Sequence, residues 1–139
     1  MVVLVCRIVR RGVRMVEQEL VTHRKRVLVV DDEPKFCYVV AGFLMGRGYE
    51  TLVASSSDEA LAKMEQFNPE VVLMDVRMPG RSGFEVVKEA RARFLPPRII
   101  MVTAVDSSSA IDEAMDSGAD AYLCKPVDLN DLERLIATI

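Results

Sequence analysis

The sequence is poor in the residues from which soft-metal centres and disulfide frameworks are built. Its 139 residues include one histidine and three cysteines, Cys6, Cys37 and Cys124. The cysteines are odd in number, lie at unrelated spacings and form no Cys-x-x-Cys pair. We therefore expect free thiols in a reducing compartment rather than a zinc site or a secreted disulfide scaffold.

Long hydrophobic runs are also missing. No uninterrupted apolar stretch approaches the roughly 18 residues that a membrane-spanning helix needs. Arg7, Arg10 and Arg11 interrupt the apolar amino terminus, and no small-residue cleavage site follows them, which disfavours a signal peptide. We expect a cytoplasmic protein whose main domain does not bind a membrane.

Charge is unevenly distributed along the chain. Residues 1–26 hold seven Lys and Arg against two Glu, a net +5, whereas residues 27–139 hold eleven against nineteen acids, a net −8. The acidic body disfavours nucleic-acid binding by the main domain. We interpret residues 1–25 as a basic N-terminal extension with a short helix near residues 15–20. Either it contacts an acidic partner or a membrane surface, or it is a cloning-vector remnant, or the true start is Met15 or a later residue.

From Arg26 onward, short apolar runs alternate with helical patterns. The predicted strands are residues 27–30, 50–54, 71–74, 99–102 and 119–124. Strands that alternate with amphipathic helices indicate βαβ units, and right-handed crossovers place helices on both faces of a parallel sheet. The predicted fold class is α/β, a doubly wound three-layer sandwich with five strands and five helices over residues 26–139. Predicted core-facing positions include Phe36, Val39, Val40, Phe43, Leu44, Phe94, Ile111, Ala114 and Met115.

Polar residues follow four of the predicted strands. Asp31 and Asp32 follow the first strand, Asp75 the third, Thr103 the fourth and Lys125 the fifth. The carboxyl ends of parallel strands share one sheet edge, where open α/β sheets bind ligands. Three adjacent carboxylates stay ionised only if a cation compensates them, and ligands that are all oxygen favour Mg²⁺.

These groups suit phosphoryl transfer to Asp75. Its carboxylate would attack, a divalent cation and Lys125 would neutralise the phosphoryl oxygens, and Thr103 would bind one of them. Each residue also has a simpler interpretation, as a helix cap, a solvated lysine or a turn threonine. Their coincidence at four strand ends favours a phosphorylatable or metal-binding site.

Four motifs resemble the receiver domain of bacterial two-component response regulators. They are VLVVDDEP at 27–34, LMDVRMPGRSG at 73–83, VTA at 102–104 and YLCKP at 122–126. The resemblance covers about residues 26–139 and implies the strand order 2-1-3-4-5, flavodoxin-like and CheY-like. It also implies that a sensor histidine kinase or histidine phosphotransfer protein donates a phosphoryl group to Asp75.

The resemblance further implies the metal ligands. Asp32 and Asp75, with the backbone carbonyl of Arg77, would bind Mg²⁺, and Asp31 would act largely through a bound water. Thr103 and Lys125 would contact the phosphoryl oxygens.

The resemblance implies a conformational switch as well. Thr103 and Tyr122 would couple phosphorylation to a surface formed by the helix at 108–117, the strand at 119–123 and the helix at 129–139. A partner or a second copy of the chain would bind there. The Lys125–Pro126 bond is expected to be cis. Such a domain is not an enzyme beyond its own phosphorylation and slow dephosphorylation.

Two other functions remain open. One is a phosphatase that works through an aspartyl-phosphate intermediate. Such enzymes carry a second acid two residues after the nucleophile, where this chain has Arg77, which cannot donate a proton near neutral pH. The other is a structural interaction domain with a vestigial acidic site.

Overall fold

A computed structural model describes residues 24–93 and 95–139 in full and the backbone of residues 2–9 and 12–19. The main body is a five-stranded parallel sheet. Its strands are β3 (Arg26–Val30), β4 (Glu50–Ala54), β5 (Val71–Met74), β6 (Arg98–Thr103) and β7 (Ala121–Cys124). The strand order is β4-β3-β5-β6-β7, which is 2-1-3-4-5 within this sheet and confirms the prediction.

Five helices connect and cover the strands, as the alternation of patterns predicted. They are α1 (Pro34–Gly46), α2 (Ser57–Phe67), α3 (Gly83–Ala92), α4 (Ser108–Ser117) and α5 (Leu129–Thr138). Local residues explain where they start. Proline opens α1, and Ser56, Ser82, Ser107 and Asp128 each accept a backbone N–H bond as the cap of one of the other four helices.

The N-terminal segment differs from its prediction. It forms a separate antiparallel hairpin in which β1 (Val2–Val9) pairs with β2 (Gly12–Glu19). The short helix predicted near residues 15–20 was therefore wrong over 15–19; residue 20 lies outside the described residues. Considered alone, residues 15–20 tolerate a helix, but a preceding run rich in β-branched residues supplies a strand with which β2 forms its backbone hydrogen bonds.

The core has two layers, one on each face of the sheet. Helices α2, α3 and α4 pack on one face, around Leu28 and Met74, whereas α1 and α5 pack on the other, around Val29 and Leu73. Residues of β3 and β5 point alternately to the two layers and are buried on both sides. This double burial explains their unbroken apolar sequences.

Some residues predicted to face the core are exposed. Val39, Ile111 and Met115 keep 46%, 36% and 45% of their surface accessible. In α4 the small residues Ala110 and Ala114 are buried in the core, which confirms the prediction for Ala114. In α1 the inward positions are Cys37, Val40, Ala41 and Leu44, because the sheet covers a narrower stripe than the apolar pattern suggested. The prediction for Phe94 lies outside the described residues.

The last strand is shorter than predicted. It was expected to begin at Ala119 but begins at Ala121. The Ala119 N–H donates to the carbonyl of Ala114 and so closes the end of α4, while Asp120 N–H donates to Ile99 O. Residues 119 and 120 therefore belong to the turn from helix to strand.

Gly83 sets the distance between α3 and the end of β5. A Cβ atom at this position would lie 2.1 Å from the backbone oxygen of Asp75. No side chain can be accommodated there without moving the backbone that carries Asp75. The glycine thus allows the start of α3 to pack directly against the functional edge of the sheet.

We predict that Gly83→Ala lowers the free energy of unfolding by about 2–3 kcal/mol, because the new methyl group overpacks a backbone contact. The control is Gly42→Ala on α1, where an added Cβ meets nothing within 4 Å. That change should stabilise the protein by up to about 1 kcal/mol through helix propensity. Urea unfolding of both variants measures the difference, and equal effects would contradict the proposed role of Gly83.

Candidate functional site

Three carboxylates converge at the carboxyl edge of the sheet. Asp31, Asp32 and Asp75 each present an oxygen, and these oxygens lie within 4.8 Å of one another. The Asp75 N–H donates to Val30 O, which joins the end of β5 to the end of β3. The three residues predicted as side-chain metal ligands are thus brought together by adjacent strands.

The two neighbouring acids have different surroundings. Asp31 is 1% exposed, and its Oδ1 accepts the Glu33 N–H at 2.9 Å, whereas Asp32 is exposed. The sulfhydryl of buried Cys37 donates to the Asp31 backbone oxygen at 3.3 Å. Because the oxygens of Asp31 already have protein partners, Asp32 is the freer of the two to bind a cation.

Lys125 lies between two of the acids. Its Nζ is 2.5 Å from Asp31 Oδ2 and 3.4 Å from Asp75 Oδ2. Its backbone N–H donates to Thr103 O at 2.8 Å, and the Lys125–Pro126 bond is cis, as the resemblance implied. The ammonium also lies over the ring of Phe36, 4.1 Å from the centroid.

Burial and neighbouring charges have opposing effects on the pKa values of Asp31 and Lys125. Burial raises the pKa of Asp31, against the lowering effect of hydrogen bonds from Lys125 and the Glu33 N–H, and the charge of Asp75 raises it further. Burial lowers the pKa of Lys125, but the bond to Asp31 and the charge of Asp75 outweigh it, so that the net shift is upward. Among the described residues, one ammonium faces three acids and leaves negative charge uncompensated, which fits a divalent cation bound by oxygen ligands.

Thr103 and Tyr122 contact the same loop. The Thr103 hydroxyl, on a residue only 1% exposed, accepts the Val105 N–H at 3.3 Å. The Tyr122 hydroxyl donates to the Val105 carbonyl. The two predicted switch residues are therefore linked through a single loop residue.

Sequence reasoning missed Ser57 as a support of the site. Its buried hydroxyl accepts the Arg81 N–H at 3.2 Å and donates to Pro79 O at 3.5 Å. A Cβ on Gly80, whose φ is +88°, would lie 2.7 Å from this hydroxyl. Ser57 thus holds the loop that follows Asp75, a contact that no local signal in the run of serines reveals.

Cys37 was expected only as a free thiol, and it is free. Burial, with a smaller contribution from the charge of Asp31, raises the pKa of this thiol to about 11. The Cys124 thiol is free and exposed, while the side chain of Cys6 lies outside the described residues.

Among the residues that the structure describes, no helix combines the length and apolar character needed to cross a bilayer.

The sheet order β4-β3-β5-β6-β7, with acids at the carboxyl edge and Lys125 directly after β7, defines a CheY-like α/β domain. Comparison with protein families agrees. Residues 27–137 match the family described as the response regulator receiver domain, and the chain belongs to that family.

Two curated relatives illustrate the match. The DNA-binding response regulator MtrA of Mycolicibacterium smegmatis is 36% identical over 105 residues, which are 76% of this chain and 46% of MtrA. The transcriptional regulatory protein KdpE of Mycobacterium tuberculosis is 36% identical over 114 residues, 81% of this chain and 50% of KdpE. The chain spans about half the length of these relatives.

Solved structures show the same fold. A CheY-like response regulator receiver domain protein from Methanospirillum hungatei superposes with a TM-score of 0.80 at 33% identity, covering 84% of this chain and 93% of that one. The chemotaxis protein CheY4 of Vibrio cholerae also gives 0.80, at 32% identity, with 84% and 99% covered.

We predict that Asp75→Ala keeps or raises the free energy of unfolding in metal-free buffer, because it relieves repulsion among the three acids. Asp120→Ala is the matched control. That carboxylate accepts bonds from Arg91, Arg98 and the Ile99 N–H, so its loss should cost about 2 kcal/mol. Urea unfolding measures the free energy of unfolding of both variants. An equal loss in Asp75→Ala and Asp120→Ala would contradict the predicted relief of repulsion.

Proposed function

We propose that this receiver domain is a phosphorylation-dependent switch in a two-component system. Asp75 accepts a phosphoryl group from the phosphohistidine of a sensor kinase or a histidine phosphotransfer protein. The observation that carries the proposal is the convergence at Asp75 of two further carboxylates and the Lys125 ammonium. The free thiols of Cys37 and Cys124 suit a reducing cytoplasm.

Asp31, Asp32, Asp75 and the backbone carbonyl of Arg77 are the groups proposed to hold Mg²⁺. The all-oxygen donor set and the uncompensated charge both fit this ion. When bound, Mg²⁺ supplies positive charge that neutralises the phosphoryl oxygens.

The chain's own residues account for the rest of the transfer. A carboxylate oxygen of Asp75 attacks phosphorus, the P–N bond to the donor histidine breaks, and the imidazole leaves with the bonding electron pair. Lys125 stabilises the negative charge of the transferred group, and the Thr103 hydroxyl donates a hydrogen bond to one of its oxygens. Thr103 ends β6, which is adjacent to β5, and Lys125 directly follows β7, one strand further along, so both groups lie at the same sheet edge as Asp75.

The same threonine connects phosphorylation to the surface. If its hydroxyl turns toward the phosphoryl group, the Val105 N–H loses its acceptor, and the Val105 carbonyl that binds Tyr122 moves with the loop. The loop leads directly into α4, where Ile111 and Met115 are exposed. We propose that α4, β7 and α5 form the surface for a partner or a second copy, with phosphate shifting a two-state equilibrium.

The domain acts on no substrate other than its own Asp75. It catalyses only its own Mg²⁺-dependent phosphorylation and slow dephosphorylation. MtrA is named as DNA-binding and KdpE as a transcriptional regulator, but the residues that match this chain make up only about half of each of those proteins. We assign no nucleic-acid binding or membrane binding to residues 26–139.

We predict that Asp75→Ala abolishes phosphate incorporation from a small phosphodonor such as acetyl phosphate with Mg²⁺. The wild-type chain should gain a single acid-stable, base-labile phosphate, measured by intact mass. Undiminished incorporation in the variant would place the acceptor elsewhere. Release of many phosphates per chain would instead favour the phosphatase.

We predict that Thr103→Ala still accepts phosphate but weakens phosphorylation-dependent dimerisation or partner binding about tenfold, a typical size for coupling between sites. Thr51→Ala is the control, because the Thr51 hydroxyl has no hydrogen-bond partner among the described residues. Sedimentation of phosphorylated samples measures self-association. Equal affinities for Thr103→Ala and wild type would exclude coupling through Thr103 and Tyr122.

We propose that residues 1–25 are an extension that the chemistry does not need, since their hairpin is a sheet separate from the receiver sheet. A chain that begins at Thr22 should melt at the same temperature and take up phosphate at the same rate as the full chain. Aggregation or loss of phosphorylation would show that the extension contributes to the fold or to a dimer.

A further inference from the structure

We propose that Phe36 is a positioning residue for phosphoryl transfer, because the face of its ring holds the Lys125 ammonium at the acidic edge. The inference rests on the proposed function of Lys125. It assigns a role to an aromatic side chain that carries neither charge nor hydrogen-bonding group.

The contact arises from the way α1 starts. Pro34 opens the helix directly after the acidic pair and Glu33, so that Phe36 lies in the first turn, beside the exit of β7. Its half-buried ring packs on the core layer shared by α1 and α5. Lys125 Nζ lies 4.1 Å from the ring centroid, well inside the roughly 6 Å within which a cation is attracted to an aromatic face.

The ring differs in kind from the other partners of the ammonium. Lys125 Nζ also contacts Asp31 Oδ2 and Asp75 Oδ2, at 2.5 and 3.4 Å. Both carboxylates are proposed metal ligands, and Asp75 is the proposed phosphoacceptor. When these oxygens bind a metal or phosphorus, their attraction for Lys125 falls. The phenyl ring binds neither the metal nor phosphorus, so its attraction for the Lys125 ammonium persists through every stage of the transfer.

A lysine at this position needs such a restraint. The backbone of Lys125 is held by the bond to Thr103 O, but its side chain has four rotatable carbon–carbon bonds and is 17% exposed. Holding it in one rotamer is entropically unfavourable. An aliphatic residue at position 36 would fill the same space without an electron-rich face for the ammonium.

The same helix provides a matched control. Phe43 lies seven residues after Phe36, two turns along the same face, and its ring is 4.9 Å from the Arg47 guanidinium carbon. This second cation–aromatic pair also has a phenylalanine ring, with an arginine in place of the lysine, and it contacts none of the site residues named above. Weakening it should leave the chemistry unchanged.

The experiment replaces Phe36 with phenylalanines that carry one, two and three ring fluorines. Fluorine withdraws electrons from the ring face and weakens its attraction for a cation while nearly preserving shape. At saturating Mg²⁺, the maximal rate of phosphorylation by acetyl phosphate should fall stepwise, by about three- to tenfold over the series. The Mg²⁺ dissociation constant from calorimetry should change less than twofold. A small donor is needed because Phe36 also lines an apolar groove with Val39, Pro126 and Leu129 that a protein donor would contact.

A second measurement needs neither metal nor phosphate. In the metal-free protein, the ring current of Phe36 should shift the Lys125 ε-methylene protons upfield in the NMR spectrum. Phe36→Leu should abolish this shift, and Phe36→Tyr should restore it. An unshifted wild-type resonance would overturn the contact itself.

The outcomes separate the two proposals. If wild type takes up no phosphate, the proposed function fails. If wild type is phosphorylated but its rate is the same throughout the Phe36 series, the role of Phe36 fails alone. An equal fall in the fluorinated Phe43 series would also overturn it, since a general effect on α1 would then explain the data.

Discussion

Electrostatic repulsion at one edge of the sheet is the constraint on which the rest of the structure depends. Oxygens of three carboxylates lie within 4.8 Å of one another, and the Lys125 ammonium contacts two of these carboxylates. Such crowding is unfavourable in the absence of a cation. It is maintained because β3 and β5 are adjacent parallel strands whose ends cannot separate without disrupting both core layers.

The surroundings of the site oppose relaxation of this arrangement. The Gly83 backbone packs against the Asp75 carbonyl, Ser57 holds the following loop, and the Asp31 side chain accepts the Glu33 N–H. Each of these contacts uses a backbone atom, and those made by Gly83 and Ser57 do not involve a carboxylate of the cluster. At a preorganised site of this kind, a bound cation would relieve the repulsion among the carboxylates without requiring the backbone to rearrange.

The acidic edge and the loop that follows β6 lie next to each other. Val105 is bonded both to the Thr103 hydroxyl and to the Tyr122 hydroxyl, so that one residue joins the interior to the surface. The link lies within residues 27–137, which match the receiver domain of response regulators. Under the proposed function, the exposed apolar residues of α4, Ile111 and Met115, would lie on the surface that a partner or a second copy contacts.

Much of the fold and site could be predicted from the sequence. Apolar runs ending in Asp31, Asp75 and Thr103 indicated buried parallel strands with polar ends, because a strand buried on both faces has an unbroken apolar sequence that can be recognised locally. The family motifs implied the strand order and the cis bond at Lys125. The hairpin over β1 and β2 was missed, because a strand is stable only with a partner that local propensity does not identify.

Only the tertiary structure decided which side chains support the site. Phe36 meets Lys125 and Ser57 meets Arg81 because helix packing brings together residues far apart in the chain. Helix packing also leaves Val39 exposed, because the width of the buried stripe on α1 depends on which elements pack against that helix. Apolar periodicity determined that α1 is a helix with a buried face; the neighbouring elements determined which residues that face contains.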